Sequence, residues 1–215
     1  MIIIGAKGFA KEVLEVLHQL ENLENVAFFD DVSNDIPNFL YDRFLVLKTD
    51  DAVRRYFNKY GPDFVLGLGG PILRKRLATR FELLGGVLVS SISPYARIGS
   101  YGNNILEGAN IMTGTVITND VSIGKGVLIN LSCTIGHDVE IGDFVEICPD
   151  VNISGNCLIG SYSFIGTNST ILPGVQIGKN VIIGAGSVVS KNIPDNSLAL
   201  GVPAKIIKEL ESIDL

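Results

Sequence analysis

Tryptophan is absent from this chain, histidine occurs twice and cysteine three times. Aromatic residues make up 7% of the 215 positions, although hydrophobic residues reach 47%. A core with so few rings has to be aliphatic, and a zinc site built from three imidazoles is excluded by count. Cys133, Cys148 and Cys157 are odd in number and lack metal-like spacing, so they are expected as reduced core residues of a cytoplasmic protein. No apolar run approaches the roughly 20 residues of a membrane span. The amino end, MIIIGAKG, has too short an apolar stretch for a secretory signal. Basic residues are also scarce, 17 against 23 acidic ones, for a net charge of −6. Residues 92–215 hold most of the imbalance, with 6 basic and 11 acidic groups. Nothing in that balance attracts a nucleic-acid backbone.

What the chain has in abundance is isoleucine at a fixed interval. It returns at every sixth position from Ile105 to Ile183, and Val189 closes the run. Four places after each Ile stands a small or β-branched residue, as at Ala109, Val121, Cys133, Cys157 and Ser163. Gly often follows the Ile directly, as in Ile135-Gly136 and Ile177-Gly178. A period of six fits neither a helix nor a simple alternation, so it marks a repeated unit. Short strands joined by tight corners meet it, with one large and one small inward side chain per unit and Gly or Asn at corners of positive φ. Three units make a coil of about eighteen residues in a parallel β-helix of triangular section. Ile92 and Ile98 extend the pattern, with one extra residue before Ile105 that predicts a bulged corner.

Ahead of the repeats, strands are expected at Met1–Gly5, Val26–Asp30, Phe44–Leu47, Phe64–Leu68 and Val87–Ser90. Helices are expected after Ala10, over Asp50–Tyr60, after Pro71 to about Leu84, and as a short piece in the tail from Ile206. Alternating strands and helices predict a small, Rossmann-like parallel α/β domain over 1–91, with the β-helix occupying 92–215. Gly5 and Gly8 sit where the first strand turns into a helix, and Asp30 and Asp31 close the second strand. Two roles fit each pair. The glycines form a tight turn or receive a phosphate at the helix N-terminus, and the aspartates cap a helix or hold a ribose.

This combination resembles the hexapeptide-repeat acyltransferases, and within them the bacterial sugar acetyltransferases of the NeuD and PglD type. The resemblance runs from IIIGAKGFAKEVLE through FFDD, GLGGPILRKRL and the hexads to GVPAK. It implies a left-handed β-helix, acetyl-CoA as co-substrate, no metal, and a homotrimer with active sites shared between chains. It further implies that the first domain binds the acceptor, a nucleotide-linked amino sugar, with Gly5, Gly8, Asp30 and Asp31 around it. Arg74 stands at a recurring family position and is expected, by resemblance, among the residues that bind the acceptor.

His18 is expected on the surface of the first helix. His137 lies at a β-helix corner and points outward, where it is either solvated or catalytic. TIGHDVEIGDF matches the family motif that places a general base followed by an acid, so the resemblance assigns His137 as base and Asp138 as its partner. Gly155, eighteen residues on, is expected to stack against His137 and, by resemblance, to offer its N–H to the thioester carbonyl. Resemblance also puts Thr167 and Ala185 along the pantetheine arm, Lys205 near a coenzyme A phosphate, and Asn130 near the acceptor. Where relatives often carry a second His, this chain has Glu146, which either meets an ammonium group of the acceptor or faces water. The reaction expected is N-acetylation of a nucleotide-activated amino sugar of the 4-amino-dideoxy class. The alternatives are O-acetylation of a free sugar such as a sialic acid, or a non-catalytic binding module.

Overall fold

The computed structural model describes residues 1–213. The chain opens with strand β1 (Ile2–Ile4), helix α1 (Gly8–Gln19) and strand β2 (Ala27–Phe29). Strands β3 (Phe39–Leu40) and β4 (Phe44–Leu47), helix α2 (Asp50–Tyr60) and strand β5 (Asp63–Leu66) follow, then helix α3 (Pro71–Leu83) and strand β6 (Val87–Leu88). The sheet order is β3-β4-β2-β1-β5-β6, parallel except for the β3–β4 pair. β1 is wholly buried, and its neighbours β2 and β5 are the first strands on either side of it. The strand order therefore reverses beside β1, the place where open α/β sheets form a crevice beyond their carboxyl ends. The stretch after Ile36-Pro37 contains β3, a strand that the sequence reading did not assign, which pairs antiparallel with β4 as Phe39↔Leu45.

From β7 (Ser91–Ile92) to β23 (Val188–Val189) run seventeen two-residue strands, each pairing in parallel with the strand one coil away. Ile129 faces Ile147 and Ile147 faces Ile165, so the isoleucines stack in columns eighteen residues apart. The first coil is one residue longer, because Ile92 pairs with Ile111 and Ile98 with Ile117. The expected bulge is stitched by Asn103, whose Nδ2 donates to Gly99 O and Thr118 O while its Oδ1 accepts the Val121 N–H. Inside, the large Ile and the small residues form one continuous buried cluster. Inward hydroxyls and thiols also reach a carbonyl at the next corner. Thr115 donates to Asn130 O, Cys133 to Cys148 O, Cys157 to Leu172 O and Ser163 to Gly178 O. Small polar residues therefore stay satisfied in an otherwise aliphatic core.

The corners of positive φ fall three residues after the Ile and carry Gly or Asn as expected, as at Gly126 (66°), Gly174 (74°) and Asn156 (60°), with Asp at others such as Asp138 (57°). The glycines directly after Ile are needed for a different reason. A Cβ on Gly136 would lie 2.6 Å from the Gly155 nitrogen in the next coil.

The tail also departs from the helix expected beyond Ile206. β24 (Ser197–Gly201) extends the last parallel edge through Ile182↔Leu198, and β25 (Ala204–Glu209) folds back on it in antiparallel register. Closing an open edge with a hairpin pairs backbone groups that would otherwise stay exposed.

The α/β domain docks on the face made by β7, β10 (Asn110–Ile111), β13 (Leu128–Ile129), β16 (Glu146–Ile147) and β19 (Phe164–Ile165). Val16 of α1 packs with Met112 and Leu128, and Phe144 of the β-helix enters the core cluster of the α/β domain. Polar ties reinforce this contact. Lys125 pairs with Glu82 at 2.8 Å, and Gln19 joins Ser93 and Thr113.

Candidate functional site

Two places collect chemistry. The first is a crevice of about 620 Å³ at the carboxyl ends of β1, β2 and β5. Gly5, with φ 101°, makes the turn out of β1, and a Cβ there would lie 2.9 Å from the Gly67 carbonyl. Glycine is thus required for both conformation and approach. α1 then starts at Gly8 with no side-chain cap and no acid in its first turn, so its free N–H groups and positive dipole end belong to the crevice. Asp30 Oδ1 accepts the N–H groups of Val32 and Ser33, which fixes the rim loop. Asp31 pairs with Arg80 at 2.8 Å, and Arg80 also reaches Asp50 at 2.6 Å while lying over the rings of Phe29 and Phe81.

Gly5, Gly8, Asp30 and Asp31 are therefore brought together around one cavity. Arg80 was missed, although a signal existed. Leu73, Leu77 and Arg80 share one stripe of α3 at helical spacing and all three line the crevice.

The second place is the corner at His137. The strand β14 (Thr134–Ile135) delivers Gly136 and His137 to the outside, and Asp138 follows in the left-handed conformation that Asp tolerates. That backbone turn aims the carboxylate back, so Asp138 Oδ2 lies 2.6 Å from His137 Nδ1. Both side chains are exposed, at 63% and 56%. The ring rests on Gly155, since a Cβ there would come 2.7 Å from both Cε1 and Nε2. The Asn156 N–H donates to His137 O, which locks the two coils in register at this corner. With Nδ1 engaged by a carboxylate, the neutral ring carries its proton there and leaves Nε2 as a proton acceptor. Among the described residues, the Gly155 N–H meets no acceptor within the chain.

The other expected site residues are scattered. Thr167 and Ala185 occupy successive exposed positions of a different corner, and Thr167 O accepts the Gly186 N–H. Lys205 is exposed on β25, opposite Leu200. The Asn130 side chain accepts the N–H of Leu131 at 2.8 Å.

Two placements correct the expectation of substrate contact. Arg74 is 0% exposed, and its guanidinium donates to Leu68 O, Gly126 O and Asn110 Oδ1. Burial lowers its pKa to about 10, with the Glu146 charge acting in the opposite direction. Arg74 is a strut between the domains. Glu146, 8% exposed, neither faces water nor stands free, because it accepts the Gly70 N–H at 2.5 Å. Among the described residues, no group of His, Cys, Asp and Glu has the arrangement of a metal site.

Two family descriptions fit parts of the chain. Residues 1–81 match the PglD N-terminal domain, and residues 156–191 match the bacterial transferase hexapeptide repeats. GDP-perosamine N-acetyltransferase of Escherichia coli is 28% identical over 160 residues, 71% of this chain and 69% of that protein. Among solved structures, a His-to-Asn mutant of perosamine N-acetyltransferase from Caulobacter crescentus, in complex with CoA and GDP-perosamine, has a TM-score of 0.89 and 31% identity. That match covers 97% of this chain and 96% of the other. The acetyltransferase domain of PglB from Neisseria gonorrhoeae has a TM-score of 0.85 and 30% identity, over 96% of this chain and 98% of that one.

An α/β crevice joined to a left-handed hexapeptide β-helix, with an imidazole–carboxylate pair on its outer corner, is the architecture of a hexapeptide-repeat acyltransferase. Within that class the chain belongs to the NeuD/PglD-type sugar acetyltransferases.

Proposed function

We propose that this protein transfers the acetyl group of acetyl-CoA to the amino group of a nucleotide-linked amino sugar. The observation that carries this reading is His137, held by Asp138 at 2.6 Å and seated against Gly155. The amine of the sugar attacks the thioester carbonyl, and a C–N bond forms. His137 Nε2 takes the proton that the nitrogen releases, while Asp138 stabilises the resulting imidazolium. The Gly155 N–H donates to the oxyanion of the tetrahedral intermediate. The C–S bond then breaks, and the imidazolium proton passes to the departing thiolate. No acyl-enzyme is needed. Cys133, Cys148 and Cys157 are all buried, and desolvation raises all three thiols, Cys133 to about 11 and Cys148 to about 12.

The nucleotide-sugar belongs in the α/β crevice, with its phosphates at the start of α1 and its base or ribose beside Asp30 and Asp31. Support comes from the crevice volume of about 620 Å³, from the uncapped helix end, and from the GDP-perosamine bound by the Caulobacter relative. The active unit is a homotrimer. His137 does not line the crevice of its own chain, and Thr167 and Ala185 stand at another corner than His137. A pantetheine arm touching both corners therefore runs between two β-helices, with Lys205 near its phosphate end. Acetyl-CoA and nucleotide sugars are both cytoplasmic metabolites, which puts the reaction in the cytoplasm.

The test offers acetyl-CoA with GDP-, dTDP- and UDP-linked amino sugars and with free sugars, and follows thiol release. Turnover with a nucleotide-linked amino sugar is expected, and His137→Ala is expected to lower kcat by at least about 100-fold. A His137→Ala protein that turns over normally overturns the assignment of the base, and acetylation of free sugars alone overturns the acceptor class.

A further inference from the structure

Glu146 sits on β16, nine residues after His137, on the face that the α/β domain covers. Its carboxylate is the partner of a helix in the other domain. Gly70 precedes α3 with φ 87° and has no side chain to cap it, Pro71 occupies the first turn, and that turn holds no acid. The Gly70 N–H instead donates to Glu146 Oε2 at 2.5 Å, so the β-helix supplies the cap. Arg74, one turn further along α3, is fully buried among neutral acceptors, and the nearby Glu146 charge offsets its own.

The segment held in this way is a wall of the crevice. Gly67, Leu68 and Gly69 all line it, and a Cβ on Gly69 would lie 2.8 Å from Glu146 Oε1. We infer that Glu146 is a positioning residue for the acceptor: acting from the coil that carries His137, its carboxylate fixes the Gly69-Gly70 wall of the nucleotide-sugar crevice. The inference rests on the assignment of that crevice to the acceptor. Glu146 touches no substrate and moves no proton. It sets where the acceptor lies relative to the β-helix. Displacing it weakens acceptor binding and leaves the thioester side of the reaction as it was.

The experiment compares Glu146→Ala, Glu146→Gln and Gly69→Ala with the unchanged protein. Gly69→Ala keeps both charges in place and pushes the carboxylate away with a methyl group, on a backbone whose φ is not in the left-handed region. The expected result is a rise of about tenfold or more in KM for the nucleotide-linked amino sugar in Glu146→Ala and Gly69→Ala. The KM for acetyl-CoA and kcat at saturating acceptor stay within about threefold. Glu146→Gln, which keeps an oxygen for the Gly70 N–H, falls between. An unchanged acceptor KM, or a fall in kcat with both KM values unchanged, overturns the inference.

Amide hydrogen exchange of the free protein supplies an arm that needs no substrate. Residues 67–73 are expected to exchange faster in Glu146→Ala while the β-helix strands stay protected, and unchanged exchange there also overturns it. If the unchanged protein acetylates no nucleotide sugar, the assignment of the acceptor fails, and the exchange arm still decides whether Glu146 positions the wall.

Discussion

At the scale of single residues, the catalytic corner depends on two features of opposite kind. Asp138 bends its carboxylate back to His137 because its backbone is left-handed, at φ 57°. Gly155 admits the ring because it has no Cβ. Its own φ is not left-handed, so replacing it acts by collision with the imidazole and not by backbone strain. Gly155→Ala is therefore expected to displace His137 and to lower kcat by about 10- to 100-fold, with a Tm close to that of the parent. Steady-state kinetics beside a melting curve check this.

The cysteines are a second case. Desolvation, the largest cause in each, raises Cys133 to about 11 and Cys148 to about 12, and raises Cys157 as well. All three thiols are expected to stay silent to a disulfide reagent at pH 8 until the protein unfolds, when all react. The fold keeps these thiols protonated while the unfolded chain ionises, so stability falls as pH rises above the unfolded thiol range, about 8.5.

At the scale of elements, two-residue strands are too short to be stable alone, and the stacking of coils is what holds them. Ile165 is 0% exposed and lies between Ile147 and Ile183 in one column. Ile165→Ala leaves a cavity that the neighbouring coils cannot collapse into, and a loss of about 2–5 kcal/mol is expected by denaturant titration. The sequence-based reading of these elements succeeds for α2, whose predicted span Asp50–Tyr60 is the observed one, because Thr49 caps it and Gly61 ends it. It fails at the carboxyl end, where Ala204–Glu209 forms a strand only because an open edge lies beside it.

For the whole molecule, the interface between the domains gives Arg74 and Phe144 their meaning. Phe144 adopts φ 53°, an unusual conformation for a bulky side chain, and is 2% exposed against the α/β core. Packing across the interface compensates that local cost. Arg74 spans the same interface with its guanidinium fully used. Arg74→Met would leave Asn110 and two carbonyls without their donor and the nearby Glu146 without the opposing charge, and a loss of about 3–5 kcal/mol is expected. Calorimetry reads the loss, and proteolysis is expected to begin at residues 67–70.

The six-residue recurrence of isoleucine determines the β-helix without help from the rest of the chain, because one large and one small inward side chain every six residues fit neither a helix nor a simple alternation. The same sequence makes His137 conspicuous, as the one histidine outside a helix. What it does not contain is the partnership of distant groups. Arg74 and Glu146 resemble ligand-binding residues when read along the chain, since a buried charge and a solvated one look alike in a sequence. Only the docking of one domain on the other decides that the arginine is sealed inside and that the carboxylate caps a helix seventy-six positions away. Burial is a property of three-dimensional packing, and it turned these two charges from candidate contacts into the joint that holds the crevice in place.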